Sequence, residues 1–446
     1  MAAGAGGRNV PVGSAEHGPR AGQHDGMRRD GGGDPYWSRP ESRVWTVMLL
    51  LGTCLLYCAR VTVPICAVAL STHFSWDKKQ SGVVLSSFFW GYCLTQIIGG
   101  HISDQIGGEK VLLLSASAWG FLTVLTPLLT HITSAPLVFM TSSRFLMGLL
   151  QGVYFPSLAS LLSQKVRESE RAFTYSTVGT GSQFGTLVIG GAGSLLLDWY
   201  GWESVFYFSG LLTLLWVYCT CKYLLSEKEL IIPIDYLMRG LSISKQTKVP
   251  WKQLFKKAPI WAVIIAQLST ASTFFTLLSW LPTFFKETFP ESKGWVFNVV
   301  PWLVAIPTSL FSGFLSDHLI NQGKSSFGFS SVIGSGVSSI FALCLGQTSS
   351  FCKAIVFASA SVGLQTFNHS GISVNVQDLA PSCAGLLFGK DSGVICVYLA
   401  GYLIETTGSW ISVFNLVAAV NSIGLCAFLI FGEAQRVDTD SAYMDL

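Results

Sequence analysis

Charge is what this chain has least of. Only 12% of its 446 residues are Asp, Glu, Lys or Arg, while 50% are hydrophobic. A soluble domain carries about 25% charged residues, so a free globular domain is excluded. The formal net charge of +3 is too small for a nucleic-acid-binding surface. The eleven cysteines contain no C-x-x-C pair, so neither a metal site nor a redox site is expected. Most of them, such as Cys54, Cys58 and Cys66, sit inside apolar stretches, where Cys behaves as a small hydrophobe. A phosphate-binding G-x-x-x-x-G-K-[ST] loop is missing, so ATP hydrolysis is not the energy source, and no enzyme signature is found. Residues 1–43 are rich in Gly and basic side chains and lack an apolar core. They read as a disordered tail rather than a cleavable signal peptide.

What is present is apolar sequence in long blocks. Mean hydropathy is +0.49, and the blocks reach the length of about 20 residues that a helix needs to cross a bilayer. Strands of a membrane barrel would alternate in units of about 10 residues. These blocks do not alternate, so the expectation is an all-α membrane protein of about 12 transmembrane helices. Spans are expected at 44–70, 80–101, 110–130, 136–163, 172–197 and 203–225, within a first half covering 44–225. A basic linker, 226–258, leads to a second half, 259–432, with spans at 259–285, 294–316, 327–346, 353–376, 384–404 and 411–432. A short tail, 433–446, ends the chain. With the N-terminus inside, the inner segments hold 19 Lys and Arg and the outer loops 5. The excess places both termini in the cytosol.

The halves share markers. Gly100-His101-Ile102-Ser103-Asp104 follows the second span and Gly313-Phe314-Leu315-Ser316-Asp317 follows the eighth; both read G-x-x-S-D, 213 residues apart. Gln164 and Gln377, ending the fourth and tenth spans, are separated by the same 213. Duplicated halves around a central site describe secondary transporters. The first copy continues to Gly107-Gly108-Glu109-Lys110. That stretch resembles the loop signature of the major facilitator superfamily, with Gln105 where a basic residue is usual. The resemblance implies the major-facilitator fold of two six-helix halves. It also implies a conformational latch made by Gly100, Asp104, Gly107, Gly108, Lys110, Gly313 and Asp317. A plain tight turn is the alternative for this stretch.

Two cations fall inside the membrane. Arg60 lies about ten residues from the outer end of the first span and Arg144 about eight from that of the fourth, so at 1.5 Å per residue both are near mid-depth. A charge there costs several kcal/mol and needs a reason. Gly148 and Gly152 follow Arg144 at helical spacing and invite a close neighbour. Carboxylates such as Asp104, Glu109, Glu203, Asp317 and Glu405 fall at span ends, and only Asp391, beside Lys390, lies within a span. Two buried cations with almost no buried acid suit an anionic substrate, because the planar guanidinium offers paired donors to phosphate or carboxylate. Pairing with backbone or a buried polar group is the alternative for each Arg. Phe88, Phe89, Trp90 and Tyr92 on the second span, and Tyr154 and Phe155 on the fourth, offer either stacking surfaces or core packing. Gln365, Asn368, His369, Ser370 and Asn375 on the tenth span are candidates to line the cavity.

The resemblance becomes narrower at three motifs. They are Ser87-Phe88-Phe89-Trp90-Gly91-Tyr92, Arg144 with Gly148 and Gly152, and Ser279-Trp280-Leu281-Pro282-Thr283-Phe284-Phe285. Together they are similar to the anion (type I phosphate) transporter family. The segments 146–156 and 366–371 resemble its nucleotide-carrying members. The resemblance covers about residues 36–446. It implies uptake of ATP, ADP and other nucleotides into secretory vesicles or lysosomes. The membrane potential set up by a vesicular proton pump would drive it, with chloride as activator and no other cofactor. It implies substrate contacts from Arg144, Arg60, Tyr92, Tyr154, Gln151, Asn368 and His369. Glutamate and sialate carriers of the family have Glu where this chain has Gln151. Glutamate carriers have His at Leu85 and Arg at Thr270. Groups for proton coupling and amino-acid selectivity are thus absent.

The eleventh span departs from the pattern. Gln164 to Gly201 is 37 residues, whereas Gln377 to Gly408 is 31. About six residues are missing, and Lys390-Asp391 stands where the family has small residues. Weakened folding or transport is expected. Other anions, such as sialate or phosphate, and a non-transporting scaffold are the rival readings.

Overall fold

The computed structural model describes residues 37–224, 257–321, 326–368 and 394–432. Residues 100, 104, 313 and 317 are described in backbone only. The first half comprises α1 (Arg39–Phe74), α2 (Lys78–Ile106), α3 (Gly108–Ile132), α4 (Pro136–Gly152), α5 (Tyr154–Lys165), α6 (Glu168–Gly179), α7 (Gly181–Val188), α8 (Ser194–Tyr200) and α9 (Trp202–Leu224). The second comprises α10 (Ala258–Thr288), α11 (Gly294–Asn321), α12 (Ser326–Ser331), α13 (Ser338–Gln347), α14 (Phe351–Gln365), α15 (Val394–Thr407) and α16 (Ile411–Phe431). Among the described residues, eight helical stretches are long and apolar enough to cross a membrane, and two shorter apolar helices, Phe351–Gln365 and Ile395–Thr407, accompany them. The second and fifth spans are helical but fall outside that set.

Spans read as continuous helices prove broken where the chain dictates it. The fourth span parts at Val153, between α4 and α5. Pro156 has no N–H to offer the carbonyl four residues back, that of Gly152, so the ladder fails there. The fifth span passes through a π-helical turn at Ile189–Gly193, and the ninth through another at Val332–Val337. Both segments are glycine-rich, and such turns are a common site of helix irregularity.

Helix ends follow local rules. Ser38 and Glu41 form a reciprocal cap at the start of α1, with the Ser38 N–H donating to Glu41 Oε2 at 2.9 Å. Gly107, with φ of 104°, turns α2 into α3 in a conformation that favours glycine. The next residue, Gly108, lets α3 start against α5: a Cβ there would sit 2.6 Å from the Ser157 carbonyl. In the same motif, the Ser103 hydroxyl shares a 2.6 Å hydrogen bond with that of Ser157. Lys110 follows in the first turn of α3. For Gly100, Asp104, Gly313 and Asp317 the latch reading concerns surroundings outside the described residues. The missing part of the eleventh span and Asp391 also lie outside them; the described part runs Val394–Thr407.

We term the face carrying the α2–α3 turn the near face and the opposite one the far face. Among the described residues, the hydrogen bonds that join the two halves lie at the far face. The Lys78 backbone N–H, at the start of α2, donates to Glu405 Oε2 of α15 at 2.8 Å. The Lys78 ammonium pairs with Glu287 at the end of α10. Asn298 Nδ2 of α11 donates to Ser194 Oγ of α8 at 2.8 Å. One turn deeper, Gly82 and Gly401 meet: a Cβ on Gly401 would lie 2.7 Å from the Lys78 carbonyl oxygen and 3.0 Å from Gly82 Cα.

Candidate functional site

The site begins with glycines. α2 and α4 cross at glycines. A Cβ on Gly91 would strike the Phe145 carbonyl, one on Gly148 the Phe88 carbonyl, and one on Gly152 Thr95 Oγ1. This is the close approach that Gly148 and Gly152 predict. It presses Phe88 and Tyr92 of α2 toward Arg144 of α4 and Arg60 of α1.

The two arginines come together there. Arg60 is 2% exposed and Arg144 4%. Arg144 Nη2 donates to the backbone carbonyl of Arg60 at 3.2 Å, and Arg144 Nη1 reaches Met147 Sδ at 3.1 Å. Arg60 Nε donates to Gln151 Oε1 at 3.3 Å, and Gln151 Nε2 in turn donates to the Leu56 carbonyl at 3.4 Å. Phe88 is shared: its ring centroid lies 5.1 Å from the Arg60 guanidinium and 5.0 Å from that of Arg144. Tyr57, at 4.6 Å, and Tyr92, at 4.8 Å, also carry the Arg60 guanidinium over their faces. Ring faces attract cations by about 0.5–2 kcal/mol each, more when desolvated. They help hold two like charges in one buried place. Arg60 Nη2 and Arg144 Nε are buried with no hydrogen-bond partner.

Other candidates are placed elsewhere. Tyr154 shares a 3.2 Å hydrogen bond with Thr53 Oγ1, and its hydroxyl lies 3.3 Å from the Leu49 carbonyl, about two and three turns of α1 from Arg60 respectively. Asn368, 1% exposed, accepts from Ser335 Oγ at 3.1 Å and so packs toward the ninth span. Both amide atoms of Gln365 are buried without a partner. His369, Ser370 and Asn375 lie outside the described residues. Tyr57 and Met147 were not anticipated as part of the site. Each stands three residues from an arginine on its own helix, and that spacing was the available signal.

Two helical halves joined at the far face, with a buried pair of cations in the first, define a membrane carrier. Residues 49–390 match the model of the Major Facilitator Superfamily, and the chain belongs to that superfamily. It is 66% identical over 431 residues to the Homo sapiens protein named voltage-gated purine nucleotide uniporter SLC17A9, covering 95% of this chain and 99% of that one. It is 31% identical over 389 residues to Homo sapiens sialin, covering 81% of this chain and 78% of that one. Among solved structures it resembles a bacterial homologue of the human lysosomal transporter Spinster in an inward-facing, unoccupied conformation. The TM-score is 0.71 at 15% identity, over 90% of this chain and all (100%) of that one. At that identity the likeness concerns fold alone.

Proposed function

We propose that this chain carries purine nucleotides, ATP and ADP among them, across a membrane as polyanions, driven by the membrane potential through alternating access. The observation that carries the reading is the Arg60–Arg144 pair. Both are buried, they are joined through a backbone carbonyl, and their side-chain partners are neutral: Gln151 for Arg60 and Met147 for Arg144. Among the described residues no carboxylate pairs with either arginine. The uncompensated charge is available to an anion, whose phosphate oxygens accept from guanidinium donors. The name of the human relative supports a nucleotide as that anion.

The potential is sufficient. Moving four charges through 100 mV yields about 9 kcal/mol, enough in principle for roughly a millionfold gradient. We place the near face and both termini in the cytosol, as the Lys and Arg asymmetry favours. The resemblance supports secretory vesicles or lysosomes as the location, a proton pump as the source of the potential, and chloride as an activator.

The test is reconstitution in liposomes with an inside-positive potential set by valinomycin and potassium, followed by uptake of labelled ATP. Potential-dependent uptake that Arg144→Ala abolishes is expected. Potential-driven uptake of labelled sialate or phosphate with none of labelled ATP would overturn the reading. The short eleventh span motivates a second arm, in which the corresponding segment of the human relative replaces residues 378–407. Faster uptake by the chimaera is expected, and equal rates would remove the proposed impairment.

A further inference from the structure

Pro64 lies within α1, four residues after Arg60. In an α-helix the N–H of a residue bonds the carbonyl four positions earlier. Proline has no N–H, so the Arg60 carbonyl loses its partner within the helix. A bare carbonyl inside a membrane is costly, and neighbouring helices supply what the ladder does not. Here the supplier is Arg144, whose Nη2 donates to that carbonyl at 3.2 Å.

From this geometry we infer that Pro64 is a positioning residue for the anion site. By withholding an N–H, it turns the backbone of α1 into the anchor for the guanidinium of α4. The anchor does two things. It ties the first and fourth spans at the depth of the site, and it takes one N–H of a terminal nitrogen of Arg144. Met147 Sδ takes one N–H of the other. Among the donors left over, Arg144 Nε and Arg60 Nη2 are buried and without a partner. Each arginine therefore keeps a donor that no protein group takes. The ligand class is an oxyanion with at least two acceptor oxygens, such as a phosphate group. The motif is legible as R-x-x-x-P on the first span, and its effect lies on the fourth. The inference rests on the anion-carrier reading for its ligand, but the anchor itself does not depend on which substrate is carried.

The test separates the two. Thermal unfolding of the purified, ligand-free protein is measured for the wild type, Pro64→Ala, Arg144→Ala and the double variant. The alanine in Pro64→Ala supplies an N–H that satisfies the Arg60 carbonyl from within α1. Pro64→Ala is therefore expected to raise the midpoint more in the Arg144→Ala background, where the carbonyl is otherwise bare, than in the wild type. Equal rises in both backgrounds would overturn the anchor, whatever the substrate. In the second arm, ATP uptake by Pro64→Ala is expected to show a KM about tenfold higher, the loss of one charge-assisted hydrogen bond's worth of positioning. Replacing Pro64 with the α-hydroxy analogue of alanine, which also lacks the N–H but has no ring, should keep the wild-type KM. An unchanged KM in Pro64→Ala, or the same KM for the amide and the ester, would show that Pro64 acts only on helix shape. Failure of the wild type to take up ATP would count against the function reading and leave the unfolding result standing.

Discussion

Arg60 donates from Nε to the side-chain carbonyl of Gln151 at 3.3 Å, and both side chains are buried. The amide fixes the guanidinium without cancelling its charge. A carboxylate in its place would hold the arginine equally well and neutralise it. Gln151→Glu is therefore expected to fold normally and to lose affinity for nucleotide by about tenfold or more at neutral pH, since one interaction of a charged group is at stake. The loss should shrink as the medium is acidified and the new carboxyl takes up a proton. Uptake measured against pH checks this; a flat profile at wild-type affinity would show that the charge on Arg60 is not used.

Phe88 holds one ring beside two guanidiniums. Phe88→Leu keeps an apolar volume and removes both cation–π contacts, worth about 1–3 kcal/mol together. The expected result is a lower unfolding midpoint in detergent and a weaker rise of that midpoint on adding ATP. An unchanged ATP-dependent rise would reduce the ring to packing.

Gly148 has the backbone of α2 against it, with the Phe88 carbonyl in the position a Cβ would take. Gly148→Ala forces α2 and α4 apart, and about 3 kcal/mol of stability is at risk. Gly179→Ala is the control, because a Cβ there meets nothing within 4 Å. Thermal unfolding of the two variants should separate them clearly; equal midpoints would mean the helices tolerate separation.

Lys78 and Glu405 sit opposite one another at the far face, on helices from different halves. The Glu405 carboxylate caps the positive end of α2 from across the interface. A single exposed ion pair such as Lys78–Glu287 is weak, which suits a contact that must break in each transport cycle. The pair Lys78→Cys and Glu405→Cys is expected to crosslink under mild oxidation and to stop uptake, with recovery on reduction. Either single variant serves as the control for the native cysteines. Full-rate uptake by the crosslinked protein would mean that the far face does not open there.

Much of the fold is readable without coordinates. Long apolar blocks have few ways to satisfy their backbone in lipid, so helices of known length follow directly. Arg60 and Arg144 stand out because charge in such blocks is expensive, and Gly148 and Gly152 announce a close neighbour. The breaks do not stand out in the same way. Pro156 and the glycines near Ile189 are visible, but an apolar window counts residues and ignores ladder geometry. Tyr154 shows the limit of reading one helix at a time. It follows Arg144 by ten residues along the fourth span, yet the break at Val153 and the crossing of α1 direct it to Thr53 and Leu49.

The order of residues is enough to fix the membrane environment, the helical halves and the presence of two arginines that must be buried. Those properties depend on composition and on distance along one chain. Which partners the arginines have is settled by the packing of the helices. That Gln151 faces Arg60, that Phe88 serves both guanidiniums, and that the carbonyl freed by Pro64 is taken by Arg144 all depend on how three helices cross. Crossing is set by the glycine faces of α2 and α4 acting together. Contacts between segments 84 residues apart, as for Arg144 and Arg60, carry no periodic signal that one helix could show alone.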